Sequence, residues 1–460
     1  MSPLPSDTSN TSDTPVSFNI ESSSHTPIEP ANDAVATPVA SSRDLLKSFF
    51  HLPRNVYLLY FFTLGKGFQL TIAMLNISYY AHSLGYKPDF IGLLNATGAV
   101  GALIGAVPTG FLADRFGRKP VLVISAILTP LFLALTGLMT SAPLMLGFSL
   151  IQGTVATAYW VTNIPLLTES TTEQQRVGVL AMNSFLLLGV GALGNLLGGA
   201  IPEFVGSIMH VSAASVIPLR FGVLIAALVT LVFGIPIWWI QEPAYKRTRK
   251  RDTTGETKKK TLRPATAKTP FPYMLFVKLL VPDLMFTMGE GAVVALMQLY
   301  FVLRFHLLPG PLGVIFTVSG FIGGVFSLTA PLFVKRWGKL PLITFVQYIS
   351  APLMILIGFA PTLPLAITGE YTRSFLRTLI DPVYAAFAME NVSDQYRARL
   401  SGLYSTTWSI GFSIGPGIAG WLQTNVSLST SFVFGAICLV IAPTLLLLFF
   451  GKKSSNALKH

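Results

Sequence analysis

Between residues 54 and 450 the chain alternates long apolar runs with short stretches of Pro, Gly and charge. The runs are close to the ~20 residues that an α-helix needs to cross a hydrocarbon core of ~30 Å. The punctuation predicts twelve spans, at 54–80, 89–112, 119–139, 143–167, 178–202, 217–240, 275–303, 311–334, 340–360, 364–388, 400–423 and 430–450. An even number brings the chain back to the side on which it began. The pattern therefore predicts an all-α polytopic membrane protein with both termini on one side.

Composition agrees. Only 11% of the 460 residues are charged and 52% are hydrophobic, whereas a soluble domain carries roughly 25% charged residues. The formal charge of +12 invites a nucleic-acid reading, but its location argues against one. Residues 244–268 hold ten Lys/Arg and two acids, so most of the excess sits in one hydrophilic loop with no interleaved aromatics. A basic loop between apolar spans is what the positive-inside bias produces. Arg115, Arg118, Lys119, Arg176, Lys335, Arg336, Lys339, Arg397, Arg399, Lys452 and Lys453 fall on the same side as that loop. Both termini are thus expected in the cytoplasm, with the chain multi-pass in a plasma or inner membrane.

The expected organisation is a disordered Ser/Thr/Pro-rich tail (1–45), a six-helix bundle (46–240), a basic linker (241–272), a second six-helix bundle (273–451) and a short tail (452–460). The tail has no basic and apolar segments of a secretory signal. A lone Cys438 leaves no internal disulfide and no cysteine cluster. No metal constellation, cofactor loop or nucleophile–base pair is visible. The reading is therefore of a monomer without cofactors that is not an enzyme.

The two halves repeat. "IGLLNATGAVGALIGAVPTGFLADRFGRKP" from residue 91 and "LGVIFTVSGFIGGVFSLTAPLFVKRWGKLP" from residue 312 lie 221 residues apart. "ESTTEQQRVGVLAMNSFLLLGVGALGNLLGG" from 169 and "ENVSDQYRARLSGLYSTTWSIGFSIGPGIAG" from 390 keep the same ungapped register. A duplicated six-helix unit is the plan of parallel-repeat transporters.

The loop "GFLADRFGRKPVL", residues 110–122, carries the most specific motif. Gly110, Leu112, Ala113, Asp114, Arg115, Gly117, Arg118, Lys119 and Leu122 match a pattern that resembles the signature loop of the major facilitator superfamily. The resemblance implies an ion-pair latch that holds the cytoplasmic gate closed, with Glu169 and Arg176 as partners. In the second copy Lys335 replaces the acid, which predicts a weaker or differently wired latch there. "GFSIGPGIAG", residues 411–420, resembles the antiporter motif of drug-exporting members. Those members carry it in the fifth span, where this chain has Asn195 in place of proline. Gly411, Gly415, Pro416 and Gly420 are read first as a helix-packing motif.

Charged residues also lie inside predicted spans. At about 100° per residue, Lys66, Gln69, Asn76 and Tyr80 share one face of the first span. Gln152, Tyr159 and Asn163 share a face of the fourth, and Glu370, Arg373, Arg377 and Asp381 share a face of the tenth. Glu290 falls in the seventh, at the repeat position of Gln69. A charge at mid-membrane costs roughly 2.5–3.5 kcal/mol, so these groups should face a wet cavity or one another. The resemblance puts spans one, four, seven and ten around the substrate cavity. Lys66, Gln69, Asn76, Gln152, Tyr159, Asn163, Glu290, Arg373, Arg377 and Asp381 are therefore the candidate cavity residues. Two readings stand: pairs that hold helices together, or pairs that exchange partners while a carboxylate takes a proton. In the second, Lys66 competes with a proton for Glu290.

The expected function is secondary active transport of a small organic solute by alternating access, coupled to protons, with a lean to export. Uptake of an anionic or zwitterionic metabolite is the alternative, and a transporter-like receptor or scaffold a remote one.

Overall fold

The computed structural model describes residues 52–241, 272–327 and 329–457. The predicted tail and almost all of the basic linker lie outside them. The described chain is helical: α1 (Arg54–Ser83), α2 (Pro88–Phe116), α3 (Arg118–Leu138), α4 (Ala142–Glu169), α5, α6 (Val216–Gly234), α7 (Tyr273–Phe305), α8, α9 (Lys339–Phe359), α10 (Leu363–Glu390), α11 (Asp394–Asn425) and α12 (Thr430–Ala457). Two are interrupted. α5 runs Glu173–Ser184, passes through a π-helical turn at Phe185–Val190 and resumes at Leu193–Met209. α8 breaks between Pro309–Ser327 and Ala330–Trp337, where Pro331 cannot continue the preceding turn.

Among the described residues nine helices are long and apolar enough to cross a membrane by length and composition. α8, α10 and α11 are not among them. α8 is broken, α10 carries four charges at 370–381, and α11 begins with polar residues. α8 is apolar but short of a full span where it breaks, whereas α10 and α11 carry the polar residues that line a cavity.

The twelve helices form two six-helix bundles. In the first, α1 packs on α5 and α6, and α4 on α2 and α3. In the second, α7 packs on α11 and α12, and α9 on α10 and α12. The register of 221 residues survives in the backbone. Gly117 and Gly338 both hold positive φ (96° and 78°) at the turns after α2 and α8, a conformation that glycine adopts without a Cβ penalty.

Two seams join the bundles, α2 to α11 and α5 to α8. Both close at the end remote from the termini. A Cβ on Gly92 would lie 2.2 Å from the Pro416 carbonyl oxygen, and one on Gly313 2.3 Å from that of Asn195. The pairs are repeat equivalents. Each seam also caps a helix N-terminus across the bundle boundary. The Asp89 N–H donates to Thr424 Oγ1 at 2.9 Å, and the equivalent Gly310 N–H donates to Glu203 Oε1 at 3.0 Å. Tyr79 adds a bond from its hydroxyl to the Leu307 carbonyl, 3.1 Å, between α1 and the connection from α7 to α8.

Candidate functional site

A cavity of about 330 Å³ opens among α7, α9, α10 and α11. Its most buried titratable residue is Glu290, and its lining extends to Met389 and Ser401, beside the α10–α11 turn at the end that carries the termini. The helix pitch builds it. Asp283, Thr287 and Glu290 recur at intervals of four and three on α7, and Arg377, Asp381 and Tyr384 do the same on α10.

Glu290 is buried and held by two guanidinium groups. Arg373 Nη1 lies 3.0 Å from Glu290 Oε2 and 3.3 Å from Oε1, and Arg377 Nε lies 3.1 Å from Oε2. Arg373 uses its other face on Glu370, with Nε and Nη2 at 2.9 and 3.1 Å from the two carboxylate oxygens. Ser319 donates to Glu370 from α8 at 3.3 Å. Arg373 thus ties α7 to α10 through a bidentate contact on one side and a forked one on the other, a geometry suited to arginine and closed to lysine. Buried charge of this kind persists only when paired.

Two more acids reach the cavity. Asp381 is exposed to it, and no basic group lies within ion-pair distance of Asp381 among the described residues. Asp283 is buried and accepts a hydrogen bond from Thr407 Oγ1 of α11. The lining therefore holds three carboxylates, Asp283, Glu290 and Asp381, against one guanidinium, Arg377. Five aromatic side chains stand in the remaining lining: Phe286, Tyr384, Tyr404, Trp408 and Phe412. Carboxylates beside aromatic faces form a site for an amphipathic cation.

The first bundle holds a different polar cluster. Lys66 is buried, donates to Gln69 Oε1 at 2.6 Å and lies 5.8 Å from the Tyr159 ring centroid. Thr63 donates to Asn183 Oδ1 at 2.8 Å, Asn163 Nδ2 donates to the same oxygen at 3.0 Å, and Tyr159 donates to Thr63 at 3.2 Å. The expected competition between Lys66 and a proton for Glu290 has no basis in this arrangement. Lys66 folds back on its own helix, and Arg373 and Arg377, one turn apart on α10, occupy both oxygens of Glu290. Asn76 is also displaced from the expected cavity. Its Nδ2 donates to the Ile72 and Gly198 carbonyls, at 2.9 and 3.0 Å, so it packs α1 against α5 and α6. Gln152 is half-buried on α4 and is not among the residues that line the cavity.

The signature loop is visible as a turn and an ion pair. Gly117 makes the turn, whereas Gly110 faces open space and makes no close helix contact. Arg118 pairs with Glu169, and Arg176 Nε donates to the Thr168 carbonyl at 3.3 Å, so both expected partners engage within the first bundle. Asp114 and Arg115 are exposed, and Asp114 has no ion-pair partner among the described residues. Lys119 is half-buried in the first turn of α3. The second copy is wired alike. Lys339 pairs with Glu390, and Arg397 Nε donates to the Met389 carbonyl at 3.1 Å, each at the repeat position of its first-half counterpart. The lost acid at Lys335 leaves this pair in place.

The glycine motif of α11 packs helices. Gly411 and Gly415 let α7 approach, with would-be Cβ atoms 2.4 Å from Thr287 Oγ1 and 2.5 Å from the Met288 carbonyl, while Pro416 and Gly420 meet α2. Asp283, Asn183 and the α11 aromatics were not singled out by the sequence. Asp283 stands at the repeat position of Phe62, so the register gave no cue. The Pro282–Asp283 step inside an apolar run was the available signal.

A profile described as Major Facilitator Superfamily matches residues 57–372 and 284–459, and the chain belongs to that family. It is 25% identical over 381 residues to the quinolone resistance protein NorA of Staphylococcus aureus (strain COL), covering 80% of this chain and 90% of that protein. Its fold is similar to that of a bacterial homologue of the human lysosomal transporter Spinster, with TM-score 0.67, 15% identity and coverage of 87% and 96% of the two chains. It is also similar to a D-xylose–proton symporter, with TM-score 0.66, 15% identity and coverage of 85% and 96%. The protein is a transporter of small solutes and not an enzyme.

Proposed function

We propose that this transporter is a proton-coupled exporter of amphipathic organic cations. The observation that carries the reading is the cavity lining: three carboxylates, one guanidinium and a wall of five aromatic side chains. Arg373 is engaged on both sides by Glu290 and Glu370, and Arg377, the one guanidinium in the lining, lies 3.1 Å from Glu290 Oε2. The likeness to a quinolone resistance protein over 80% of the chain supports export.

The conformation fits one step of alternating access. The seams are closed at the end remote from the termini, and the cavity leads to the other end. With the termini in the cytoplasm, as the basic loops favour, this is an inward-facing state that accepts solute from inside. Asp114 is then an unlatched gate residue. It closes on the facing bundle when the cytoplasmic side shuts and the remote seams part.

Coupling runs through Glu290. Ionised, it holds Arg377 and leaves Asp381 and Asp283 to attract a cation. A proton on Glu290 cancels half of the charge that holds Arg373 and frees Arg377 to turn towards Asp381, one turn further along α10. Solute and proton then compete for one balance of charge, the requirement for exchange. The test is accumulation of fluorescent cationic dyes in efflux-deficient cells, with and without a protonophore. Wild type should lower dye content in a protonophore-sensitive way, and Glu290→Gln at equal expression should not. Equal dye content in wild-type and empty cells, together with uptake of a polar anion, would refute the reading.

A further inference from the structure

The first bundle carries a groove at a place where the second bundle carries packed aromatic rings. It has a volume of about 540 Å³ between α2, α3 and α4, with Leu112, Phe116, Ile124 and Val155 on its walls. A close helix contact forms one end of it. At Gly105, α2 comes so close to α4 that a Cβ would lie 2.4 Å from the Thr154 carbonyl oxygen. In the repeat register Gly105, Ile124 and Thr154 become Phe326, Phe345 and Phe375. There Phe326 packs edge-on against Phe375 with centroids 4.9 Å apart, and Phe345 packs against Trp337 at 5.1 Å. The second half places rings at three positions where the first half has Gly, Ile and Thr. An unfilled void of this size would cost dispersion contacts along its whole lining, and an apolar wall at membrane depth does not hold water.

The groove ends at the membrane surface. Phe116 is the last residue of α2, and Pro120, also in the lining, lies in the first turn of α3. The Arg115 guanidinium stands there, exposed and 5.4 Å from the Phe116 ring centroid. At about 100° per residue, Arg115 lies roughly 75° from the middle of the groove face of α2, whereas Asp114 lies roughly 175° from it. Arg118 is engaged by Glu169. The charge beside the mouth is therefore positive, and the acid of the same loop points away.

We propose that this groove holds an acyl chain of an anionic phospholipid whose phosphate rests on Arg115. A guanidinium suits a phosphodiester because its donors match two phosphate oxygens. An acyl chain suits a long apolar slot that opens sideways into the bilayer. The bound lipid bridges α2 and α3 across the Gly117 turn, which ties the gate loop to the composition of the leaflet. This site is separate from the solute cavity and does not depend on what that cavity carries.

Native mass spectrometry of the purified full-length protein tests it, with dioleoylphosphatidylglycerol and dioleoylphosphatidylcholine as probes. Wild type should retain one phosphatidylglycerol at concentrations about tenfold below those needed for phosphatidylcholine. Arg115→Gln, a change at an exposed position, should abolish that preference without loss of fold. The double variant Ile124→Phe/Thr154→Phe, which installs the second-half residues, should lose the tightly held lipid of either kind. Equal retention of both lipids by wild type, or retention of phosphatidylglycerol that neither variant alters, would overturn the proposal and leave ordinary annular lipid.

Discussion

The two bundles share a backbone plan and differ in the chemistry of their inner faces. Glu290 and Arg373, which form the buried ion pair of the second bundle, correspond to Gln69 and Gln152 in the first. Asn163 and Asn183, joined by a 3.0 Å hydrogen bond, correspond to Tyr384 and Tyr404, whose rings pack edge-on with centroids 5.8 Å apart. By contrast, the Arg118–Glu169 and Lys339–Glu390 pairs, the glycine turns and the bundle seams repeat position for position. Duplication preserved what hinges and closes the molecule. The two inner faces were free to diverge, because a cavity needs one set of charges and not two. The result is a neutral amide cluster beside a single lysine in one bundle and a charged and aromatic site in the other.

That contrast is open to direct attack. The largest effect is expected at the seams, which both halves build. Gly420→Leu places side-chain atoms where a Cβ alone meets the Pro88 carbonyl oxygen at 2.4 Å. It should disfavour the closed remote end by about 4 kcal/mol or more, read as faster alkylation of a cysteine placed at Thr424. The next effect separates the bundles. Arg373→Ala strands Glu290 and Glu370 in a buried site and should destabilise the protein by about 3–5 kcal/mol. Gln152→Ala, its repeat counterpart, should cost under about 1 kcal/mol. Thermal unfolding in detergent measures both.

A smaller difference is expected between the two cross-bundle caps. Glu203 accepts the Gly310 N–H as a carboxylate at a helix N-terminus, whereas Thr424 offers the Asp89 N–H a neutral hydroxyl. Glu203→Ala should loosen its seam by about 2 kcal/mol and Thr424→Ala by about 1 kcal/mol. Alkylation rates of seam cysteines report both changes. The smallest effects belong to the exposed pairs. Lys339→Ala or Glu390→Ala should shift stability by no more than about 1 kcal/mol, within a degree or two of wild type in the same melt.

Much of this was legible in the sequence. Apolar run lengths located the helices, and an ungapped register of 221 residues exposed the duplication and its conserved turns. Helical pitch also put Arg373, Arg377 and Asp381 on one face of the tenth span, and the family resemblance set that span and the seventh, with Glu290, around one cavity. Partner choice was not legible. Lys66 and Glu290 occupy nearby repeat positions, yet the side chains pair within their own bundles, because a neighbour one turn away or on an adjacent helix wins over a charge across the cavity. Asp283 escaped notice for the opposite reason: its importance comes from Thr407 on α11, 124 residues away in the chain. The π-helical turn of α5 and the open groove of the first bundle are likewise products of packing between helices, which a one-dimensional pattern does not contain.

The central claim is that the carboxylate-rich cavity of the second bundle couples proton movement to the export of an organic cation through Glu290. The most direct measurement is ethidium transport in proteoliposomes with an imposed proton gradient, for wild type and Glu290→Gln at matched reconstitution. The account predicts that wild type concentrates ethidium against its gradient and that Glu290→Gln only equilibrates it. Concentrative transport by Glu290→Gln equal to wild type, or wild-type ethidium flux indifferent to the proton gradient, would contradict it.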